Sequence, residues 1–239
     1  MPVETSTANT TDFESIIPTD MALMRAVNID LSGEVLTASA ELSIPLPDGF
    51  NSSNPVIVAR LFEADGKRLL EIVATANVTG GLITSQTTDV AGLALPGIVK
   101  SGTYLFIETV RAVGFIRGTV SGLDGAVKEG ALVRVAASTI ADISNVGGTY
   151  IVAALSGPWS ASAINRTTRN RGSASGTLST NNEVQTHNIN ITSTPPVVVS
   201  ISPTNGATGA DDKGQIVVTF SEPISKGSAT DGAITLTNA

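Results

Sequence analysis

The sequence predicts an all-β fold built as tandem antiparallel β-sandwiches, the last one incomplete, and three observations carry that expectation. Of its 239 residues, 72 are Thr, Val or Ile, the β-branched types that pack on a pleated surface and lose rotamer freedom in a helix. The 23 glycines and 11 prolines are spread along the chain, as short strands joined by tight turns require. Apolar and polar residues alternate with period two between those turns, the pattern of half-buried strands.

The elements follow in chain order. Residues 1–12 are a polar, Thr-rich segment that reads as a linker or tail. They contain neither the basic region nor the apolar run of a signal peptide. A cytosolic chain and a piece or mature form of an exported one both remain open. From Glu34 to Ile44 the chain alternates, with Ala38, Ala40, Leu42 and Ile44 on one face, until Pro45, Pro47, Asp48 and Gly49 stop it. Val56 to Glu63 and Arg68 to Val73 flank Ala64-Asp65-Gly66-Lys67, where Asp-Gly supplies the positive φ of a hairpin. Asn77-Val78-Thr79 and Leu82-Ile83-Thr84 form a second hairpin around Gly80-Gly81, and Gly102 to Ile107 reads as a closing strand. Residues 13–112 therefore hold strand signals enough for one sandwich.

The rhythm restarts in residues 113–192. Phe115 to Val120 and Ala131 to Ala137 enclose turn residues Gly122, Asp124 and Gly125. Thr149 to Ala154, Trp159 to Ile164, an Arg-bearing loop and Val184 to Ile191 follow. The order and spacing of Gly118-Thr119-Val120, Asp124-Gly125, Gly130-Ala131-Leu132-Val133, Gly148-Thr149-Tyr150 and Leu155-Ser156-Gly157-Pro158-Trp159-Ser160 resemble the carboxypeptidase regulatory-like domain over residues 115–192. That resemblance implies a transthyretin-like β-sandwich and no peptidase activity, because in that family this is the non-catalytic domain. Trp159 departs from it, standing where such domains more often carry a smaller aromatic or aliphatic residue.

Thr192-Ser193-Thr194-Pro195-Pro196 marks a linker, taken as residues 193–196, since two prolines break any ladder and stiffen the chain. Beyond it, Val197 to Gly209 and Ile216-Val217-Val218-Thr219-Phe220-Ser221-Glu222-Pro223-Ile224 resemble the opening of a bacterial Ig-like domain of the S-layer-protein type, over residues 196–239. Strands are expected near Val197 to Ile201, Ile216 to Phe220 and Ile234 to Thr237. Residues 197–239 are thus a partial domain, since a sandwich of this kind takes about seven strands and ~100 residues.

Charge and composition exclude several classes. With no cysteine, disulfide scaffolds and zinc-thiolate modules are ruled out. The net charge of −7 lies wholly in the first fifth of the chain, where Arg25 is the only base among the first 50 residues. No basic stripe is left to neutralise phosphates, which argues against nucleic acid and anionic membrane as partners. The most apolar stretch, Ala91 to Val99, is interrupted by Gly92, Pro96 and Gly97, far short of the ~20 residues of a membrane span.

No catalytic, cofactor or metal residue is assigned, and no cofactor is expected. His187, the only histidine, lies on a strand without a recognisable nucleophile and orienting carboxylate. The acids Asp30, Asp48, Asp65, Asp211 and Asp212 lack the single-loop spacing that collects six to eight oxygens around calcium. Gly209 to Gly214 has the glycine spacing of a phosphate loop, but Gln215-Ile216 replaces its Lys and Ser/Thr. Trp159 and Tyr150 are weighed as sugar-stacking residues against core positions, and the core is favoured, as it is for Tyr104. Arg166, Arg169 and Arg171 form a candidate interaction loop, three guanidinium groups able to meet a carboxylate-rich partner, with a solvated hairpin tip as the alternative.

The expected function follows from architecture and the two resemblances. It is a non-enzymatic extracellular or cell-surface structural or adhesion module of a bacterial or archaeal protein, with a self-assembling fibre subunit as one form. The alternative is an accessory non-catalytic segment of a larger secreted hydrolase. Expected partners are proteins, including self-association by β-strand addition with Val3 to Thr11 as the candidate inserted strand.

Overall fold

In the computed structural model, residues 4–50, 53–122, 124–192, 197–204, 206–208 and 215–220 are described. The chain divides into two units, residues 1–193 and 194–239.

Turn chemistry sets the first hairpins of the larger unit. Strands β1 (Glu4–Ala8), β2 (Met21–Asp30), β3 (Val35–Ala40), β4 (Ser43–Pro45), β5 (Val56–Ala64), β6 (Lys67–Thr79), β7 (Leu82–Gln86), β8 (Ile98–Lys100) and β9 (Gly102–Thr109) come first. Asp65 and Gly66 take φ of 51° and 70°, and Gly80 and Gly81 take 60° and 80°. Two successive positive φ values match the right-handed twist of the flanking strands. Seven of these strands form one sheet in the order β1-β2-β9-β5-β6-β7-β4, while β3 and β8 pair separately. The alternating stretch from Glu34 to Ile44 is two strands in two sheets. Ser85 Oγ accepts the Leu42 N–H and Leu42 O accepts the Ser85 N–H, which draws the chain from the β3–β8 pair onto the edge of the large sheet. Residues 4–8 pair antiparallel with β2, Glu4 opposite Asp30 and Ala8 opposite Ala26, rather than standing apart as a tail or waiting strand.

Strands β10 (Val113–Gly122), β11 (Leu132–Val135), β12 (Ala141–Ile143), β13 (Thr149–Leu155), β14 (Gly157–Ile164), β15 (Arg171–Leu178), β16 (Val184–Thr186) and β17 (Ile189–Ile191) build two further sheets. One has the order β13-β10-β16 with β17 also on β10; the other runs β12-β11-β14-β15. The Arg-bearing loop is shorter than the sequence suggests, because Arg171–Leu178 is a strand. Its inward residues are Gly172, Ala174 and Gly176, small because other groups fill the space: a Cβ on Gly172 would meet Asn190 O at 2.1 Å, and one on Gly176 would meet the Trp159 ring at 2.9 Å. Not every pairing is antiparallel, since β16 and β17 both run parallel to β10.

The two faces of the seven-stranded sheet are covered differently. One, with Met24, Val27, Val58, Val73, Ile83, Tyr104 and Phe106, lies under Leu31, Leu36, Leu46, Phe50 and Ile98 of the β3–β8 side. The other, with Ala26, Ile57, Ala59, Leu70, Ile72, Leu105 and Ile107, joins Phe115, Ile116, Val133, Tyr150, Trp159, Ile189 and Ile191 in one continuous core. Strand β9 is buried on both faces, so it reads as an unbroken apolar run. Residues 4–109 thus lack a complete second sheet of their own, and residues 113–191 close the open face.

Hydrogen bonds cross the same junction. Leu70 N–H reaches Thr139 O at 3.0 Å, the Thr139 hydroxyl donates to Ile16 O, and Arg117 donates to Gly92 O. In the second unit, β18 (Val198–Ser202) and β19 (Val217–Phe220) form an antiparallel pair with Val197, Val199, Ile201 and Ile216 exposed. The strand expected near Ile234 to Thr237 lies outside the described residues, as do Asp211 and Asp212.

Candidate functional site

The expected interaction loop turns inward upon its own chain. The Asn165 side chain accepts the N–H groups of Thr167 and Thr168, both at 2.9 Å, and so shapes the loop as an Asx turn. Arg166 Nε then donates to Asp65 Oδ1 at 3.1 Å and Arg169 Nη1 to Asp65 Oδ2 at 3.3 Å. Asp65 is the turn residue of the β5–β6 hairpin, so the carboxylate partner foreseen for these cations lies about a hundred residues back in the same chain. The Arg166 hydrogen bond, foremost, holds the Asp65 carboxyl below the usual carboxylate range. The Arg166 and Arg169 side chains stay 41% and 50% exposed, and a shallow recess of about 470 Å³ beside them is lined by Asp65, Glu129, Gly130, Asn165 and Thr167. Arg171 opens β15, where its carbonyl accepts the Thr192 N–H at 3.1 Å.

His187 sits among packing groups. Its ring stands edge-on to Trp159 at 4.8 Å, and both rings meet Gln185 Oε1 at 3.3 Å. Gln185 in turn donates to Thr177 O and Glu183 Oε1. The Tyr150 hydroxyl donates to His187 O at 2.7 Å, and burial pushes its pKa up to about 12. Trp159 and Tyr150 are buried, so neither face is open to stack on a sugar. These contacts join β13, β14 and β16, and among the described residues the imidazole's hydrogen bond is to the Gln185 amide rather than to the hydroxyl or carboxylate of a triad.

One titratable group escaped the sequence reading. Asp142, on β12, accepts the Ile143 N–H at 2.7 Å and the Ile151 N–H at 2.8 Å. Burial, with a smaller push from nearby Glu71, raises its carboxyl to about 7 against the lowering effect of those bonds. A lone acid between Ala141 and Ile143 in an apolar strand was the available signal. Other acids are taken up in pairs, Glu71 with Arg60, Asp89 with Thr75 and Glu108 with Asn54. Asp30, Asp48 and Asp65 do not converge, and among the described residues no group of three His, Cys, Asp or Glu could hold a metal. A cleft of about 460 Å³ is lined by Pro18, Met21, Arg111, Val135, Leu155 and Trp159 among others, with Arg111 bridging Asp20 and Ser156 O at its rim.

The class these features define is an all-β module built of several sheets around an apolar core. Residues 192–239 match the family model of the bacterial Ig-like domain. No curated protein sequence matches the chain. Among solved structures, the major pilin subunit BcpA of Bacillus cereus aligns at 10% identity over 79% of this chain and 70% of that one, with a TM-score of 0.26. A substituted form of the same pilin gives the same values. At that score the likeness carries no argument about fold or function. The comparisons lend no support to the carboxypeptidase regulatory-like resemblance of residues 115–192. What they support is the Ig-like one.

Proposed function

We propose that this chain is a non-enzymatic structural or adhesion module of a bacterial or archaeal surface protein, exposed outside the cell. The observation that carries the reading is the bacterial Ig-like match of residues 192–239, joined in one chain to an all-β unit whose cations and acids are largely engaged in its own packing. Within that unit, residues 115–192 keep the carboxypeptidase regulatory-like reading as a non-catalytic sandwich. Support comes from Gly125, Gly130, Gly148 and Gly157, which all take positive φ at the turns of that pattern.

Self-association by strand addition belongs to the same reading, with β1 as the edge. The opposite edge of the seven-stranded sheet is β4, three residues ending in Pro45, and proline and shortness are devices that block pairing. Strand β1 has neither, and Thr5, Ser6 and Thr7 on it are exposed. Sedimentation should show concentration-dependent association that Ser6→Lys abolishes; a chain that stays monomeric at every concentration overturns this part.

The whole reading is tested by treating intact source cells with protease and labelling them with antibody to residues 1–192. Surface labelling lost on proteolysis is expected. Labelling that appears only after lysis would overturn the assignment.

A further inference from the structure

The last strand of the larger unit is attached in an unusual way. Residues 184–186 and 189–191 run parallel to β10 with Phe115 opposite Val184, Arg117 opposite Thr186, Val120 opposite Ile189 and Gly122 opposite Ile191. The offset is constant at 69 residues, and side-chain pairs with that spacing, Arg117 with Thr186 and Ser121 with Asn190, repeat it. The gap at His187 and Asn188 is therefore an interruption without slippage. It is bridged by His187 N–H to Arg117 O at 2.8 Å and by Thr119 N–H to Asn188 Oδ1 at 3.0 Å. The seam begins before β16, where Asn182 N–H meets Val113 O and Phe115 N–H meets Glu183 O, both at 2.7 Å. It ends at Thr192, held on β15 through Arg171 O.

Sequence makes room for this contact. A Cβ on Gly118 would fall 1.8 Å from His187 O, one on Gly114 2.9 Å from Glu183 O and one on Gly172 2.1 Å from Asn190 O. Ile189 and Ile191 are buried at 0% and 2% exposure, which anchors the free end of the strand in the core.

We propose that this seam is a tension clamp, the element that sets the force the larger unit withstands when the chain is pulled along its length. Load from the N-terminal side enters β10 at Val113, and load from the C-terminal side pulls residue 192 away from Ile191. The two strands point the same way, so they are drawn in opposite directions along their common axis, roughly 30 Å for ten residues of strand. Every bond of the seam is then sheared together. If the same strands were pulled from adjacent ends, at Gly122 and Ile191, the bonds would open one after another. The clamp follows from topology and holds wherever the protein resides, so it does not stand or fall with the surface assignment.

Because the chain has no cysteine, introduced pairs define the pulling axis. Val110 and Ala126 are exposed, as is Thr192. In single-molecule force spectroscopy on the full chain, attachment at Val110→Cys and Thr192→Cys loads the seam in shear, and Ala126→Cys with Thr192→Cys unzips it. The shear pair should unfold at a force about threefold higher or more, since the three register pairs of β16 and the three of β17 yield at once rather than in turn. Asn188→Ala with Asn190→Ala should lower the shear force, leave the unzipping force unchanged and shift the denaturant midpoint little. Equal forces along the two axes, or an asparagine variant that weakens both alike, overturns the clamp. If the cysteine substitutions unfold the chain, handles at its two ends supply the shear axis, and the asparagine comparison still decides.

Discussion

Asp142 offers the sharpest thermodynamic handle on the larger unit. Its carboxyl has the ordinary value of 3.8 in the unfolded chain and is raised to about 7 in the fold, first by burial and then by Glu71. Between those values the folded state holds a proton that the unfolded state has released, so stability falls as pH rises. The contribution is fully present below about pH 4 and lost through about pH 7, and a shift of that size corresponds to at most about 4 kcal/mol. Replacing Asp142 with Asn keeps a neutral side chain at every pH. The amide oxygen still accepts one of the two N–H groups of Ile143 and Ile151, and the other loses its partner at about 1–3 kcal/mol. Urea denaturation followed by Trp159 fluorescence at intervals from pH 4.5 to 8 checks this. The natural chain should lose stability steadily across that range, the Asp142→Asn chain should start lower and stay level, and the two should converge or cross near neutrality. A natural chain whose stability is flat, or a variant that keeps the slope, would refute burial as the cause. Asp65, Asp124 and Glu183 do not confuse the window. Their carboxyls are lowered by their hydrogen-bond partners, so their contributions are lost only as pH falls below the ordinary carboxylate range.

Two substitutions test the core around β14, β15 and β17. Ile189→Ala removes a side chain with 0% exposure and should cost about 2–5 kcal/mol in urea denaturation; a cost under half that range would mean the last strand is not anchored as described. Gly176→Ala sets a Cβ 2.9 Å from the Trp159 ring, and should destabilise by about 1–3 kcal/mol through overpacking. Trp159 is the only tryptophan, so its emission should shift as well, and an unchanged spectrum would contradict the packing.

The sequence announced what local chemistry controls and hid what distant packing controls. The hairpins at Asp65-Gly66 and Gly80-Gly81 were legible because a two-residue turn with positive φ leaves few residue choices. Strand β2 was not legible, because its bulge between Leu23 and Arg25 breaks the period-two alternation. Strand β15 was hidden for another reason. Its inward positions are Gly, Ala and Gly to admit Trp159 and the Asn190 backbone, and a strand without large apolar residues looks like a loop. The Arg166–Arg169 loop was legible as a cluster of cations, but Asp65 is brought to it by the fold. Asp142 gave a faint signal, since only the fold shows that β13 and Glu71 surround it.

Whether residues 4–192 behave as one body tests the shared core of the larger unit most directly. Urea unfolding of the full chain can be followed by Trp159 emission, which reports β14 in the β12-β11-β14-β15 sheet, and by hydrogen exchange of β5 and β6 peptides, which reports the seven-stranded sheet. Coincident transitions with one midpoint are expected, because Leu70, Ile72, Leu105 and Ile107 share a core with Phe115, Tyr150 and Trp159 and neither side is covered without the other. Two separate midpoints, with β5 and β6 still protected after Trp159 has become exposed, would contradict it.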